Sequence, residues 1–164
     1  MEKKTGNPTL RLTQGAMIAA LYVVLTLIAN AFGLANMAIQ IRFSEALTIL
    51  PVFTPAAIPG LFAGCLLSNL ITGAMPADVI FGSLATLAGA LGTYALRRYK
   101  WLAPLPPILA NILVVPPLLA YVYQLPGGLG YFALTVGIGE IISCGILGLL
   151  LLLSLEKYKT LLFK

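Results

Sequence analysis

The 164-residue chain is too apolar for a soluble domain, with 60% hydrophobic and 9% charged residues, because soluble chains carry roughly a quarter charged residues. Its mean hydropathy of +1.00 predicts a polytopic membrane protein. The net charge of +5 does not indicate a nucleic-acid partner, because the basic residues form three short clusters that flank apolar runs, as topology signals do.

Six membrane-spanning helices are predicted along the chain. Four apolar stretches each suit one span, since about 20 helical residues cross the hydrocarbon core. A further stretch, residues 46–74, is long for one helix and short for two, and it contains several prolines. We divide it at a proline-glycine break, residues 58–60. The predicted helices are 10–33, 46–58, 60–74, 79–96, 102–124 and 131–155.

Charge asymmetry supports this division. With six spans, both chain ends and nine of the ten basic residues lie on one side, and only Arg42 lies on the other. The nine are Lys3, Lys4, Arg11, Arg97, Arg98, Lys100, Lys157, Lys159 and Lys164. The positive-inside rule therefore predicts a compact six-helix bundle with cytoplasmic termini, forming a single transmembrane domain over 1–164. Its outer loops are 34–45, 75–78 and 125–130.

Three of the five carboxylates, Glu45, Asp78 and Glu140, map to the outer half of the predicted bundle. Glu140 lies well inside the last span, where a carboxylate is costly unless it faces a cavity or a partner. It could bind a ligand, with Gly137 and Gly139 leaving room for a flat ring, or it could form a structural hydrogen bond to a neighbouring helix. Asp78 opens a helix and could be its N-cap, a ligand group or both.

Arg42 and Glu45 are spaced as i and i+3 in the stretch "IQIRFSEALTILP". Either they form a salt pair that closes the 34–45 loop, or Arg42 orients Glu45 toward a ligand. Uncharged polar residues of the outer half add candidate ligand groups, although aromatic residues there could also form an interfacial belt. These candidates are Gln40, Asn111 and Tyr121, with Asn30, Asn36, Tyr123 and Gln124 nearby.

No catalytic, cofactor or metal motif is recognisable. The chain has no histidine and no nucleotide-binding glycine loop, and Cys65 and Cys144 lie in apolar runs, where we interpret them as packing residues. We therefore expect no enzyme, no cofactor and no metal. Uphill transport would draw on an ion gradient or on partner subunits.

Small residues recur four positions apart on two predicted helices. Ala16 and Ala20 share one face of the cytoplasmic half of the first helix, and Gly60 and Gly64 share a face of the third. Such faces let helices approach closely, either within the bundle or against a partner subunit.

Six short spans, an N-terminal Ala-x-x-x-Ala helix and the lack of an ATPase motif resemble the substrate-binding (S) component of an energy-coupling factor (ECF) vitamin transporter. Within that group, "IQIRFSEALTILPVFTPAAIPGLFAGCLLSN" and "PADVIFGSLATLAGALGTYALRR" resemble the QueT family of queuosine-precursor transporters. The Arg-x-Ser-Glu-Ala-Leu stretch at 42–47 is the most specific part, and the resemblance covers nearly the whole chain.

The resemblance implies a subunit of a prokaryotic plasma membrane that captures a 7-deazaguanine from outside, with the 7-aminomethyl form favoured. A membrane coupling subunit and two cytoplasmic ATPases would reorient it and release the solute inside, and Ala16 and Ala20 would face the coupling subunit. Such a solute offers N–H donors to one carboxylate and a cation to another, so Glu45, Asp78 and Glu140 could converge on it.

Three alternatives to this function stay open. The chain could be an S component for another vitamin, or an ion-coupled secondary carrier with Glu140 as its coupling residue. It could also be a membrane enzyme or structural subunit without a transported ligand.

Overall fold

The computed structural model describes residues 8–33 and 40–162, and every regular element within them is a helix. In chain order the helices are α1 (Pro8–Ala31), α2 (Phe43–Val52), α3 (Ala57–Ile71), α4 (Pro76–Ala95), α5 (Leu105–Val122), α6 (Leu129–Glu156) and a short α7 (Lys159–Leu162). The predicted all-α helical bundle is confirmed. Four residues named above lie outside the described residues: Lys3, Lys4, Asn36 and Lys164.

Four of the described helices, α1, α4, α5 and α6, are long and apolar enough to cross a membrane, and α2 and α3 are shorter apolar helices. The 10 residues of α2 form a 3₁₀ helix, whose rise of about 2 Å per residue gives a length of about 20 Å. The 15 residues of α3 form an α-helix about 22 Å long. The stretch that looked short for two helices thus contains two, because the first adopts the more extended form.

The break between these two helices lies at residues 53–56, and the predicted break at 58–60 is wrong. Pro59 lies in the first turn of α3, where a proline forfeits no intrahelical hydrogen bond. The hydroxyl of Thr54 accepts a hydrogen bond from the backbone N–H two residues later (3.3 Å) and donates to Gln14 Oε1 of α1 (3.1 Å). These bonds satisfy the turn and attach it to α1.

The bundle exposes apolar side chains and buries polar ones. Leu12, Trp101 and Leu113 are each at least 70% exposed, whereas Glu45 of α2 and Glu140 of α6 are buried. Within the described residues, no buried side-chain nitrogen or oxygen lacks a hydrogen-bond partner. This distribution is expected of a protein whose surroundings are lipid.

α1 begins, and α6 ends, at the same end of the bundle. Gln14 of α1 and Leu155 of α6 line one apolar groove, together with Leu47 and Leu50 of α2. We call this the inner end and the opposite one the outer end. The prediction that both termini lie on one side of the membrane fits this arrangement, and their cytoplasmic location stays a prediction.

Candidate functional site

Three carboxylates that are distant in sequence meet in the bundle interior. Glu45 comes from α2, Asp78 from the first turn of α4 and Glu140 from the middle of α6, and each is at most 8% exposed. They line one cavity of about 10 Å³, roughly the space that one water molecule needs. Its other polar lining residues are Gln40, Arg42, Thr86 and Asn111. The structure thus brings together six of the seven predicted ligand residues.

Glu45 is held by α1. The Tyr22 hydroxyl donates a hydrogen bond to Glu45 Oε1, and the Tyr22 side chain is only 1% exposed. The neighbouring Ser44 is also attached to α1, because Thr26 Oγ1 donates to Ser44 Oγ (2.9 Å). Two adjacent residues of α2 are therefore fixed by side chains one helical turn apart on α1.

Arg42 does not form a salt pair with Glu45, which was one of the two alternatives for these residues. In the described part of the chain, Lys100–Glu156 is the one oppositely charged pair within 4.0 Å. Arg42 precedes α2 in an extended conformation (φ −111°, ψ 108°), so the i, i+3 proximity of a helix does not apply to it. Its backbone N–H donates to Ser143 Oγ of α6 (3.2 Å), and its side chain lines the cavity.

Cys144 of α6 lies between two of the carboxylates. Its Sγ donates to Glu140 Oε2 (3.1 Å) and is 4.0 Å from Glu45 Oε2. One oxygen of each carboxylate and the sulfur lie within 4.8 Å of one another, so these three groups could also ligate a metal ion. Asn111 lines the same cavity as the two carboxylates. The interpretation of Cys144 as a packing residue is therefore incomplete.

Asp78 is not the N-cap of α4. Met75 occupies the cap position and Asp78 lies in the first turn, where a carboxylate interacts favourably with the helix dipole. Tyr123 Oη donates to Asp78 Oδ2 (2.8 Å) and accepts from the Met75 N–H (3.2 Å). Burial raises the pKa of Tyr123, so its phenol stays protonated and able to donate.

Tyr121, the seventh predicted ligand residue, lies outside the cavity and is 70% exposed. α5 changes from α-helical to π-helical at Leu118. The wider π turn changes which of the following side chains face the interior. Tyr123, two residues later, contacts Asp78 instead.

A second cavity, of about 480 Å³, adjoins the first. We call it the vestibule, because it lies toward the outer ends of α1, α3 and α5. It shares Gln40, Arg42, Asp78 and Val115 with the small cavity. Its other lining residues are Asn30, Asn69, Thr72, Gly73, Ala74, Leu118, Leu119, Tyr123 and Leu125. Its volume falls within the range of roughly 300–1,000 Å³ that is typical of small-molecule sites.

Gly139 does not open the room for a flat ring that was predicted beside Glu140. A Cβ at Gly139 would overlap the backbone of Gln40, so the chain entering α2 occupies that space. At Gly137 the nearest atom is Ile112 Cδ1. The two glycines thus serve close packing around the site, and the larger open space lies in the vestibule.

The two small-residue faces have different surroundings. A Cβ at Gly60 would lie 2.6 Å from the Gly15 carbonyl oxygen, and one at Gly64 would lie 3.0–3.1 Å from Ala19 backbone atoms. The glycine face of α3 therefore packs against Gly15 and Ala19 within the bundle. Ala16 and Ala20 lie on the exposed face of α1. Leu12, Met17 and Leu21 of the same helix are also exposed.

Tyr22 and Cys144 are site residues that the sequence analysis missed, and it named Tyr123 only as a neighbour of its candidate Tyr121. Tyr22 had a usable signal, because a tyrosine in the middle of an apolar span needs a hydrogen-bond partner. Cys144 follows Glu140 by four residues, a spacing that brings side chains together on a helix. Nothing in the sequence separates Tyr123 from Tyr121.

Comparisons with known proteins give a consistent result. The family model described as QueT transporter matches residues 12–157. Over 86 residues the chain is 36% identical to the queuosine precursor transporter QueT of Lactococcus lactis subsp. cremoris. This match covers 52% of the chain, and it spans about half of the relative's length (50%). No solved structure matches the chain.

Proposed function

The chain belongs to the QueT transporter family, and on that basis we propose that it binds a queuosine precursor and moves it across the membrane. The name of the Lactococcus relative supports this substrate class. The four long apolar helices support a multi-pass protein, and we propose the plasma membrane of a prokaryote as its location.

The observation that carries the proposal is the convergence of Glu45, Asp78 and Glu140 on one cavity. Helices of different parts of the chain bring these groups together at membrane depth, where an ionisable side chain without a partner or a function is costly. Among the described residues, Arg42 is the only cationic one that lines that cavity, so the three carboxylates, when ionised, would leave an excess of negative charge. Such a site favours a ligand that carries positive charge and hydrogen-bond donors.

A 7-aminomethyl-7-deazaguanine fits these requirements. Its ring edge presents N–H and NH2 donors, which one carboxylate can accept in a bidentate manner, and its aminomethyl group is a cation that suits another. Its flat ring suits a slot with apolar walls. We propose Gln40, Arg42 and Asn111 as the polar residues that complete the site.

We propose further that the chain is the substrate-binding component of an ECF transporter, coupled to a membrane subunit and two ATPases. Ala16 and Ala20 would form the contact with the coupling subunit, since they lie on the exposed face of α1 and small residues permit close helix approach. Ala16→Trp should then abolish uptake in cells and leave ligand binding by the isolated protein intact. Ala88→Trp, at an exposed alanine of α4, is the matched control and should retain uptake. Loss of binding in Ala16→Trp would show that the face belongs to internal packing.

Calorimetric titration of the purified protein with 7-aminomethyl-7-deazaguanine tests the substrate. Glu140→Gln keeps the side-chain volume and removes a charged acceptor, which is worth about 1.5–3 kcal/mol, so affinity should fall by about tenfold to over a hundredfold. Glu156→Gln is the control, because this exposed carboxylate pairs with Lys100 at the inner end. Absence of binding by the unaltered protein would refute the proposed substrate, and equal affinities for the two variants would remove Glu140 from the site.

Burial of Glu140 in a long span also suits an ion-coupled carrier. Uptake into liposomes separates the two functions. Uptake by the purified protein alone, driven by a proton or sodium gradient, would favour the carrier, whereas uptake that requires the coupling subunit and ATP would favour the ECF component. Mass spectrometry of a co-purified small molecule would reveal a different vitamin.

A further inference from the structure

Resting on the proposed function, we infer that the ligand lies across both cavities: its ammonium group occupies the small cavity between Glu45 and Glu140, and its ring lies in the vestibule against Asp78. This orientation assigns a separate task to each end of the site. Glu45 and Glu140, which we call the inner carboxylates because they lie deeper than the vestibule, recognise the charge. Asp78, which lies where the two cavities join, recognises the ring edge.

The sizes of the two cavities favour this orientation. The small cavity measures about 10 Å³, and a cavity needs roughly 10–15 Å³ by such a measure to hold one water molecule. A primary ammonium group has a single heavy atom and resembles water in size, whereas a fused two-ring base is far larger. The vestibule, at about 480 Å³, is large enough for the base.

The charges favour the same orientation. Oxygens of Glu45 and Glu140 lie within 4.8 Å of each other and of Cys144 Sγ, and in the described part of the chain no lysine or arginine nitrogen lies within 4.0 Å of either carboxylate. Tyr22 and Cys144 donate hydrogen bonds to these groups but supply no positive charge. An ammonium group between the two carboxylates would relieve their repulsion and could donate to both.

Asp78 stands where the two cavities join, since it lines both. The hydrogen bond from Tyr123 engages Oδ2. A carboxylate has two oxygens with about four lone-pair sites, so Asp78 retains capacity to accept from the N–H and NH2 groups of a ring edge. Val115, Leu118 and Leu119 also line the vestibule and supply apolar surface for the ring.

Two ligands with the same ring separate the two tasks. One is 7-aminomethyl-7-deazaguanine, which is cationic, and the other is its neutral 7-cyano analogue. In calorimetric titrations, Glu140→Gln should weaken binding of the cationic ligand roughly tenfold to a hundredfold and change binding of the neutral one little. Asp78→Asn should weaken binding of both ligands by a similar factor, because both present the same ring edge.

The orientation is overturned if Glu140→Gln weakens both ligands equally, or if Asp78→Asn acts only on the cationic one. In either case the unaltered protein still binds, so the proposed function stands. Binding of neither ligand by the unaltered protein refutes the proposed function itself.

A ligand-side test needs no altered protein and decides the question if a variant does not fold. The N,N-dimethylated aminomethyl ligand keeps its charge but carries two additional carbon atoms on the nitrogen. A cavity with room for one water-sized group should reject it, so its affinity should be roughly tenfold lower or more. Equal affinity for the methylated and unmethylated ligands would overturn the placement of the ammonium group in the small cavity.

Discussion

Gly139→Ala is expected to displace the segment that enters α2. The three atoms nearest to a methyl group at Gly139 are the carbonyl oxygen, carbonyl carbon and nitrogen of Gln40. Backbone atoms cannot rotate away as a side chain can, so the segment or α6 must shift. Inserting a methyl group into such packing costs about 1–3 kcal/mol, which exceeds the roughly 0.5–1 kcal/mol that alanine gains over glycine within a helix.

Gly137→Ala is the matched control on the same helix. Its methyl group would meet the end of the Ile112 side chain at 3.3 Å, and that side chain can move. In thermal unfolding of detergent-solubilised protein, Gly139→Ala should have a Tm several degrees below that of Gly137→Ala, at roughly 2–4 °C per kcal/mol for a chain of this size. Because Gln40 and Arg42 line both cavities, the affinity for the precursor should fall together with the Tm.

The two measurements refute different steps of this reasoning. Equal Tm values for the two variants would contradict the close approach of Gln40 to α6. A lower Tm for Gly139→Ala with unchanged affinity would confirm that this packing contributes to stability. It would also show that the position of Gln40 and Arg42 does not govern binding.

Tyr22→Phe retains the ring and removes the hydrogen-bond donor to Glu45, so the free energy of unfolding should fall by about 1–3 kcal/mol. Tyr158→Phe, at an exposed tyrosine, is the control. Equal unfolding midpoints for the two variants would exclude a stabilising role for the hydrogen bond. Single cysteines at Gly128 and Tyr99, both exposed, test the topology, since both native cysteines are buried. A membrane-impermeant maleimide should label position 128 in intact cells and position 99 only after permeabilisation, and the opposite pattern would invert the bundle.

The four long helices were predictable from the lengths of the apolar runs, and the two shorter ones from the bias of basic residues. The 3₁₀ form of α2 was not predictable. Residues 44–51 are all buried, so neither helical nor strand periodicity marks this stretch. The break after α2 depends on Thr54, which bonds to Gln14 of α1. Such a contact between distant parts of the chain leaves no local pattern, and the proline-glycine pair at 59–60 was the more conspicuous but incorrect choice.

The set of residues at the site was predictable to a larger extent than their contacts. Buried charges need partners or a function, which singled out Glu45 and Glu140 from one sequence. Their hydrogen-bond partners depend on how helices cross, and Tyr22 is 23 positions away from Glu45. Irregular turns added a second difficulty, because the π-helical segment of α5 exchanged Tyr121 for Tyr123.

Glu45 and Glu140 are costly to bury, and under the proposed orientation they make the site selective for a cationic ligand. Removing two carboxylates from water carries a penalty of several kcal/mol per ion, and neutral donors such as Tyr22 and Cys144 offset only part of it. When both carboxyl groups are ionised, a neutral ligand would leave the repulsion between Glu45 and Glu140 in place, whereas an ammonium group would relieve it. The difference in binding free energy between a cationic and a neutral ligand therefore includes the repulsion between the two carboxylates in the empty site. It should exceed the contribution of one hydrogen bond. Arg42 does not cancel this preference, because it lies at the junction with the vestibule and pairs with neither inner carboxylate.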